Sequence, residues 1–244
     1  MSAPLWIVIG AGSAMARAFA RRKAAEGTRL LLVGRDSADL ERTAQDVILR
    51  GAEGAEVLML DLRQLDLAPL LLAAETAGGT VSVGIFAGSM PPQEDIEAEP
   101  NMLAGVVTDN FTAAATILLA LAPIMAERGG SVVGVSSVAG DRGRVGNHIY
   151  GSAKAGFQTF LSGHRNRMAR VGVHVMTVKP GFVDTAMTWG LDGLFLVARP
   201  EDVARDIDRG LAKGRNVIYT PWFWIGIMTI IRLVPERVFK RLSI

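Results

Sequence analysis

The chain has 244 residues, half of them apolar and 6% aromatic, with no repeat and no low-complexity run; this suits one α/β domain with a large core rather than two domains. Its 26 basic and 24 acidic residues leave a formal charge of +2, so despite a pI of 9.2 nothing global points to nucleic acid. The absence of cysteine excludes disulfides and thiolate metal sites, and His148, His164 and His174 lack metal-ligand spacing, so no metal is expected.

The start MSAPLWIVIG lacks the basic region of a signal peptide and leads straight into a first strand, Leu5 to Ile9, so residence on the cytosolic side is expected. That strand runs into Gly10-Ala11-Gly12-Ser13-Ala14-Met15-Ala16, followed by a helical pattern through Phe19 to Glu26. Glycines in such a strand, turn and helix let the backbone approach a pyrophosphate, which the helix N-terminus receives. An ordinary strand-to-helix turn is the alternative, and a position ahead of a second strand favours the nucleotide.

The second strand, Arg29 to Val33, ends in Gly34-Arg35-Asp36 before a helix capped by Asp36 or Ser37. In sheets of this kind the strand tip meets the adenosine ribose. A carboxylate at the tip would accept hydrogen bonds from a ribose diol and repel a 2′-phosphate. Here the tip is Gly34 followed by Arg35, whose guanidinium suits a phosphate dianion. NADP(H) is therefore preferred to NAD(H), with Asp36 still able to swing toward a diol. A third strand, Glu56 to Leu60, ends at Asp61-Leu62, and a fourth, Val81 to Phe86, at Ala87-Gly88; both ends should lie beside the cofactor. Asp61 suits the adenine amino group or, equally, a helix cap before Leu65.

The apolar run Val132 to Val135 reads as a buried strand, which puts Ser136 and Ser137 at its carboxyl end, where open α/β sheets place their ligands. Thirteen residues after Ser137 comes Tyr150, and four after that Lys154. On a helix this spacing puts tyrosine and lysine on one face. A free tyrosine has a pKa of about 10, and a neighbouring ammonium favours the phenolate, which makes Tyr150 a usable general acid. Ser137 can hold a substrate oxygen. A surface pair is the commoner meaning of Tyr-x-x-x-Lys alone; the added serine spacing points to hydride-transfer chemistry.

Together these residues resemble the short-chain dehydrogenase/reductase family over about residues 5 to 220. The resemblance implies a Rossmann-type, doubly wound parallel sheet of about seven strands with helices on both faces, in one catalytic domain of residues 1–220, followed by an apolar and basic tail of residues 221–244. It implies that Asn110, on a long helix from about Pro100 to Glu127, completes a tetrad with Ser137, Tyr150 and Lys154 by holding a water in the proton relay. It also implies that Pro180, Gly181, Val183 and Thr185 form the loop that binds the nicotinamide carboxamide. Two departures stand out. Ala14 and Ala16 occupy positions where the family's turn usually ends Gly-x-Gly, and Phe86-Ala87-Gly88 replaces the usual Asn-Ala-Gly.

After an expected last strand, Asn216 to Tyr219, the stretch Pro221 to Ile231 is apolar apart from Gly226 and Thr229, too short for the roughly 20 residues a bilayer span needs. Trp222, Phe223 and Trp224 favour a membrane interface, and Arg232, Arg237, Lys240 and Arg241 can meet lipid phosphates. The alternative is packing in a homo-oligomer or on the domain itself. The tail, with Asp141-Arg142-Gly143-Arg144, resembles the subgroup of decaprenylphosphoryl-2-keto-erythro-pentose reductases. That resemblance implies a lipid-linked ketone substrate, Arg142 and Arg144 as phosphate contacts, a flavin-dependent oxidase partner and peripheral contact with the inner membrane face. Met187, Trp189, Leu191, Leu194, Phe195 and Leu196, in the segment that covers the substrate in this family, suit an apolar substrate portion. They leave open a soluble ketoreductase for an acyl, steroid or secondary-metabolite ketone, and a non-catalytic nucleotide-sensing or scaffold protein is the third reading.

Overall fold

Runs of valine, isoleucine and leucine too short for buried helices and bounded by glycine turns become strands. The computed structural model describes residues 3–190, 193 and 195–242. Leu191 and Leu194, expected over the substrate, and Ser243 and Ile244 at the end of the tail lie outside the described residues.

In chain order the elements are β1 (Leu5–Ile9), α1 (Ala14–Ala25), β2 (Arg29–Gly34), α2 (Ser37–Leu49), β3 (Gly54–Met59), α3 (Ala68–Thr76), β4 (Val81–Ile85), α4 (Gln93–Ala98), α5 (Met102–Val107), α6 (Ala113–Arg128), β5 (Ser131–Val135), α7 (His148–Met168), β6 (His174–Pro180), α8 (Pro200–Ala212), β7 (Val217–Thr220), α9 (Trp224–Leu233) and α10 (Glu236–Phe239). The seven strands form one parallel sheet in the order β3-β2-β1-β4-β5-β6-β7. The order reverses at β1, where Ile7 pairs with Leu31 on one side and Val83 on the other. A ligand crevice opens outside the carboxyl ends of the strands at such a switch point.

Alternation along β1 sends Ile7 and Ile9 into one core and Trp6 and Val8 into the other. Leu70, Ile117, Leu118, Phe157 and Leu161 cover the first face; Phe19, Leu40, Val47, Val203 and Ile207 cover the second. Strand ends agree with the sequence expectation to within two residues. The long helix differs: between α5 and α6 the backbone makes one π-helical turn, Thr108–Thr112. Met102–Arg128 is long and apolar enough to cross a bilayer by length and composition, yet Ala114, Ile117, Leu121 and Met125 within it pack into the core beneath the sheet.

The tail folds back on its own chain. Trp224 and Met228, one helical turn apart, are buried against Val138, with Phe182 and Tyr219 packed alongside. Arg142 anchors the far end of α9. Its guanidinium donates to the carbonyls of Ile231 and Val234, both at 2.6 Å, pairs with Glu236 at 2.9 Å, and lies 3.6 Å from the Phe239 ring centroid. A cation on the last carbonyls of a helix is favourable. Arg142, expected as a phosphate contact, is thus a clamp for the tail.

Candidate active site

The glycine turn after β1 is fixed twice. Gly10 has a φ of +78°, and a Cβ there would stand 2.7 Å from the Ala87 nitrogen, so neither conformation nor space admits a side chain. Ser13 caps α1, its hydroxyl accepting from the Ala16 nitrogen at 3.2 Å. The N–H groups of Ala14 and Met15, in the first turn, have no intrahelical acceptor and are free to meet an anion. Ala16 is fully buried, so its methyl group is absorbed by core packing.

This turn opens on a cleft of about 300 Å³ lined by Gly10, Gly12, Ser13, Gly34, Arg35, Asp36, Asp61, Leu62 and Phe86 to Ser89. The Ala14 and Met15 side chains are not part of its wall. Asp36 caps α2, accepting from the Asp39 nitrogen at 3.0 Å, so one of its oxygens is already taken. Asp61 closes a local turn onto the Arg63 nitrogen at 2.9 Å; it does not cap α3, which starts at Ala68 with Asp66 as its local acceptor. Asp109, also in the wall, binds Arg63 at 2.8 and 3.0 Å and Ser89 at 2.7 Å. Burial pushes its carboxyl up, but these bonds prevail and hold it below the ordinary carboxylate range, with Arg35 acting in the same direction. The shape and donor set of the cleft fit a dinucleotide: helix N–H groups for a pyrophosphate, and an exposed Arg35 at the ribose end.

Phe86 shows how the departure from Asn-Ala-Gly is accommodated. Its ring lies 5.2 Å from Phe19, which in turn meets Trp6 edge-on. Gly84 leaves room for that ring, since a Cβ there would be 2.7 Å from it. Apolar packing thus occupies this position.

Gly88 joins the cleft to Asn110 and Lys154. A Cβ on it would stand 2.5 Å from Asn110 Oδ1 and 3.2 Å from Lys154 Nζ. Asn110 lies in the π turn and is buried; its amide nitrogen donates to the carbonyls of Ser89 (2.7 Å) and Val106 (2.9 Å). Its Oδ1 is buried without a protein partner. Such turns recur at functional sites because the extra residue re-aims a side chain, and here it aims a carbonyl oxygen toward Gly88 and Lys154.

Ser137 follows β5 and caps a short 3₁₀ turn, Val138–Asp141. Tyr150 and Lys154 share the buried face of α7, with Lys154 Nζ 5.8 Å from the Tyr150 ring centroid and donating to the Val135 carbonyl at 3.2 Å. Burial pushes the Tyr150 phenol up; a hydrogen bond with Ser137 and the Arg144 charge pull the other way. Burial also pushes the Lys154 ammonium down, to about 8. The charge that acts on Tyr150 in this arrangement is Arg144, where the spacing argument named Lys154. Gln158, one turn beyond Lys154, donates to Ser136 Oγ (3.1 Å) and the Ser137 carbonyl (2.8 Å). The sequence reading passed over it, although its place four residues after Lys154 on the same face was the available signal. The Ser136 hydroxyl donates to the Lys154 carbonyl at 3.1 Å.

After β6, Pro180 and Gly181 turn the chain into the segment that bridges back at Val183 and Ala198. The Val183 carbonyl is taken by the Thr188 hydroxyl at 2.6 Å. Phe182, Phe195 and Trp224 form an aromatic cluster with ring centroids 5.5–5.6 Å apart. This cluster ties the covering segment to α9, a connection the sequence reading did not anticipate.

Comparison with known proteins bears on what this geometry serves. Residues 5–192 match the family model described as short chain dehydrogenase. The chain is 33% identical over 241 residues to an uncharacterized oxidoreductase of Mycobacterium tuberculosis, covering 97% of this chain and 96% of the relative. It is 34% identical over 244 residues to an uncharacterized oxidoreductase of Streptomyces coelicolor, with 98% and 95% covered. Among solved structures, a short-chain dehydrogenase from Sphingobium yanoikuyae in complex with NADPH superposes with a TM-score of 0.82 at 25% identity, covering 96% of this chain and 99% of that one. With the parallel sheet and its switch-point cleft, these matches place the chain in the short-chain dehydrogenase/reductase family, as an oxidoreductase of alcohol and ketone groups.

Proposed function

We propose that the protein is an NADPH-dependent ketoreductase acting on the keto group of a polyprenyl-phosphoryl 2-keto sugar at the cytosolic face of a membrane. The observation that carries the reductase chemistry is the junction at Gly88, where the cleft under the α1 N-terminus meets Asn110 and Lys154. Gly10, Gly12 and Ser13 shape the turn, and the N–H groups of Ala14 and Met15 hold the pyrophosphate. Gly34 and Arg35 hold the ribose phosphate, while Asp61, Leu62, Ala87 and Gly88 line the adenine and ribose path. Pro180, Gly181, Val183 and Thr185 hold the carboxamide. A bound nicotinamide dinucleotide supplies the hydride.

The chain's own residues supply the rest. Ser137 orients the carbonyl oxygen, Tyr150 gives it a proton, Lys154 holds the nicotinamide ribose, and the Arg144 charge favours the phenolate left behind. Asn110 Oδ1 accepts from a water, and that water passes a proton to the lysine side. Residues 1–220 are the catalytic domain and residues 221–244 the docking tail.

Support for a membrane-borne substrate comes from the outer face of α9. A surface helix ordinarily turns polar residues outward, whereas here Ile225, Ile230 and Leu233 are exposed beside Trp222. The exposed Arg237, Lys240 and Arg241 follow. Apolar residues rimmed by cations suit an anionic lipid surface. A flavin-dependent oxidase that forms the ketone is the matching partner, and a second copy of the chain is the competing cover for this face.

The test is NADPH oxidation with a short-prenyl phosphoryl 2-keto-pentose beside soluble acyl and steroid ketones, with and without anionic liposomes, using Tyr150→Phe as the blank. Tyrosine-dependent turnover of the prenyl substrate, raised by liposomes, is expected. Turnover of soluble ketones alone would replace this reading with a general ketoreductase.

A further inference from the structure

We propose that Arg63, which stands behind the wall of the dinucleotide cleft, sets the cofactor preference by neutralising the Asp109 carboxylate, so that the cleft admits a dinucleotide carrying a 2′-phosphate. The inference rests on the reading of the cleft as an NADP(H) site and adds to it a selecting residue that does not line the cleft.

Of the charged residues lining the cleft, Asp36, Asp61 and Asp109 are acids and Arg35 is a cation. Such a wall on its own would repel a phosphate dianion. Asp36 and Asp61 each turn an oxygen to a backbone N–H group. Asp109 has a different task. It accepts from the Ser89 hydroxyl at 2.7 Å, and the Ser89 carbonyl in turn accepts from the Asn110 amide at 2.7 Å. The acid therefore holds the residue that holds Asn110, and the catalytic end of the cleft needs it where the adenosine end would be better without its charge.

Arg63 reconciles the two demands. Its Nε and Nη2 donate to the two Asp109 oxygens at 3.0 and 2.8 Å, the two-pronged geometry in which a guanidinium best matches a carboxylate. Its backbone nitrogen is held by Asp61, and Gly105 on α5 leaves room for the guanidinium, since a Cβ there would stand 3.0 Å from Nη2. The Asp109 side chain is 15% exposed and that of Arg63 53%, so the acid lies inside and its cation outside. Losing Arg63 would leave an uncompensated, half-buried anion in the cleft. That anion would repel the 2′-phosphate. It would also draw Arg35, whose charge already acts on it, away from the ribose end. A cofactor with a plain ribose diol would feel neither effect strongly.

The experiment is calorimetric titration with NADP⁺, NAD⁺ and 2′-phospho-AMP of the wild type, Arg63→Met, Arg63→Lys and the double variant Arg63→Met with Asp109→Asn. Arg63→Met should weaken NADP⁺ and 2′-phospho-AMP by about tenfold and NAD⁺ by less than about twofold. The double variant should regain the wild-type ratio of the two dinucleotides, and Arg63→Lys part of it. Because the dinucleotides differ only in the phosphate, a merely structural disturbance would weaken both alike. Equal weakening of both, an unchanged ratio, or a double variant that stays poor in NADP⁺ binding would overturn the role of Arg63. A wild type that prefers NAD⁺ would overturn the NADP(H) reading instead, and the change of ratio on Arg63→Met would still decide whether Arg63 tunes the cleft.

Discussion

The indole of Trp224 fills the space that a side chain at Gly181 would need: a Cβ there would lie 1.9 Å from Nε1 and 2.0 Å from Cε2. The tail helix and the turn after β6 are therefore fitted to each other at one residue each. Gly181→Ala should destabilise the protein by about 1–3 kcal/mol through overpacking. In urea unfolding, combining it with Trp224→Ala should cost less than the sum of the two single changes. Additive costs would mean that the two residues are not in register.

Lys154 gives a pH-dependent signature. Burial holds its folded pKa at about 8, below the ordinary 10.5. Below pH 8 the lysine is charged both folded and unfolded, and the burial penalty is fully present. Between pH 8 and 10.5 the unfolded chain binds more protons than the folded one, so stability from this group rises with pH. Lys154→Met should lack that rise. Its stability relative to the wild type should fall by on the order of 2–3 kcal/mol across the window, and turnover should be lost at every pH. Parallel stability profiles of the two proteins would contradict the assignment.

Gly88→Ala tests the junction of cleft and catalytic group. The added methyl meets Asn110 Oδ1, whose amide is pinned by two hydrogen bonds, so displacement falls on Asn110 or Lys154. Misplacing catalytic groups by about 1 Å can cost on the order of 100-fold in rate. NADPH oxidation should drop by at least tenfold while the far-ultraviolet circular dichroism stays that of the wild type.

Asp141, itself buried at its carboxylate, holds a half-buried cation and a half-buried phenol together. Burial and Asp141 both push the Tyr219 hydroxyl up, keeping it protonated as a donor. Asp141→Asn leaves Lys179, whose side chain is 13% exposed, without its anion, at a cost of about 3–5 kcal/mol. Asp141→Leu combined with Lys179→Met should recover much of that loss in thermal unfolding, since an apolar pair removes the uncompensated charge.

The elements legible in the sequence were those with local signals. Val132 to Val135 is a strand because its β-branched run is short and bounded by Gly130 and the serines, and the glycine turn announced the first crossover. The spacing of Tyr150 and Lys154 points to one helix face, with Ser137 at the end of the preceding strand. What stayed hidden depends on distant partners. Nothing local to Arg142 reveals that it caps a helix about ninety residues later, and Arg144, two positions away, looks the same in sequence yet makes no such bond. The π turn at Asn110 was equally invisible, because Thr108 to Thr112 carries no glycine or proline to announce a change in winding. Asp61 and Asp36 illustrate a third case: a short acid near a turn suits several local bonds, and only backbone geometry chooses among them.

The position of Trp224 changes what the end of this chain is for. An appendage can be trimmed, fused or swapped with little consequence for chemistry elsewhere. Here, removing α9 would strip the cover from Val138, one residue past Ser137, and from Phe182, at the entrance to the covering segment. A change in how the tail packs would therefore be felt next to Ser137. The tail helix and the turn that Ser137 opens share a wall.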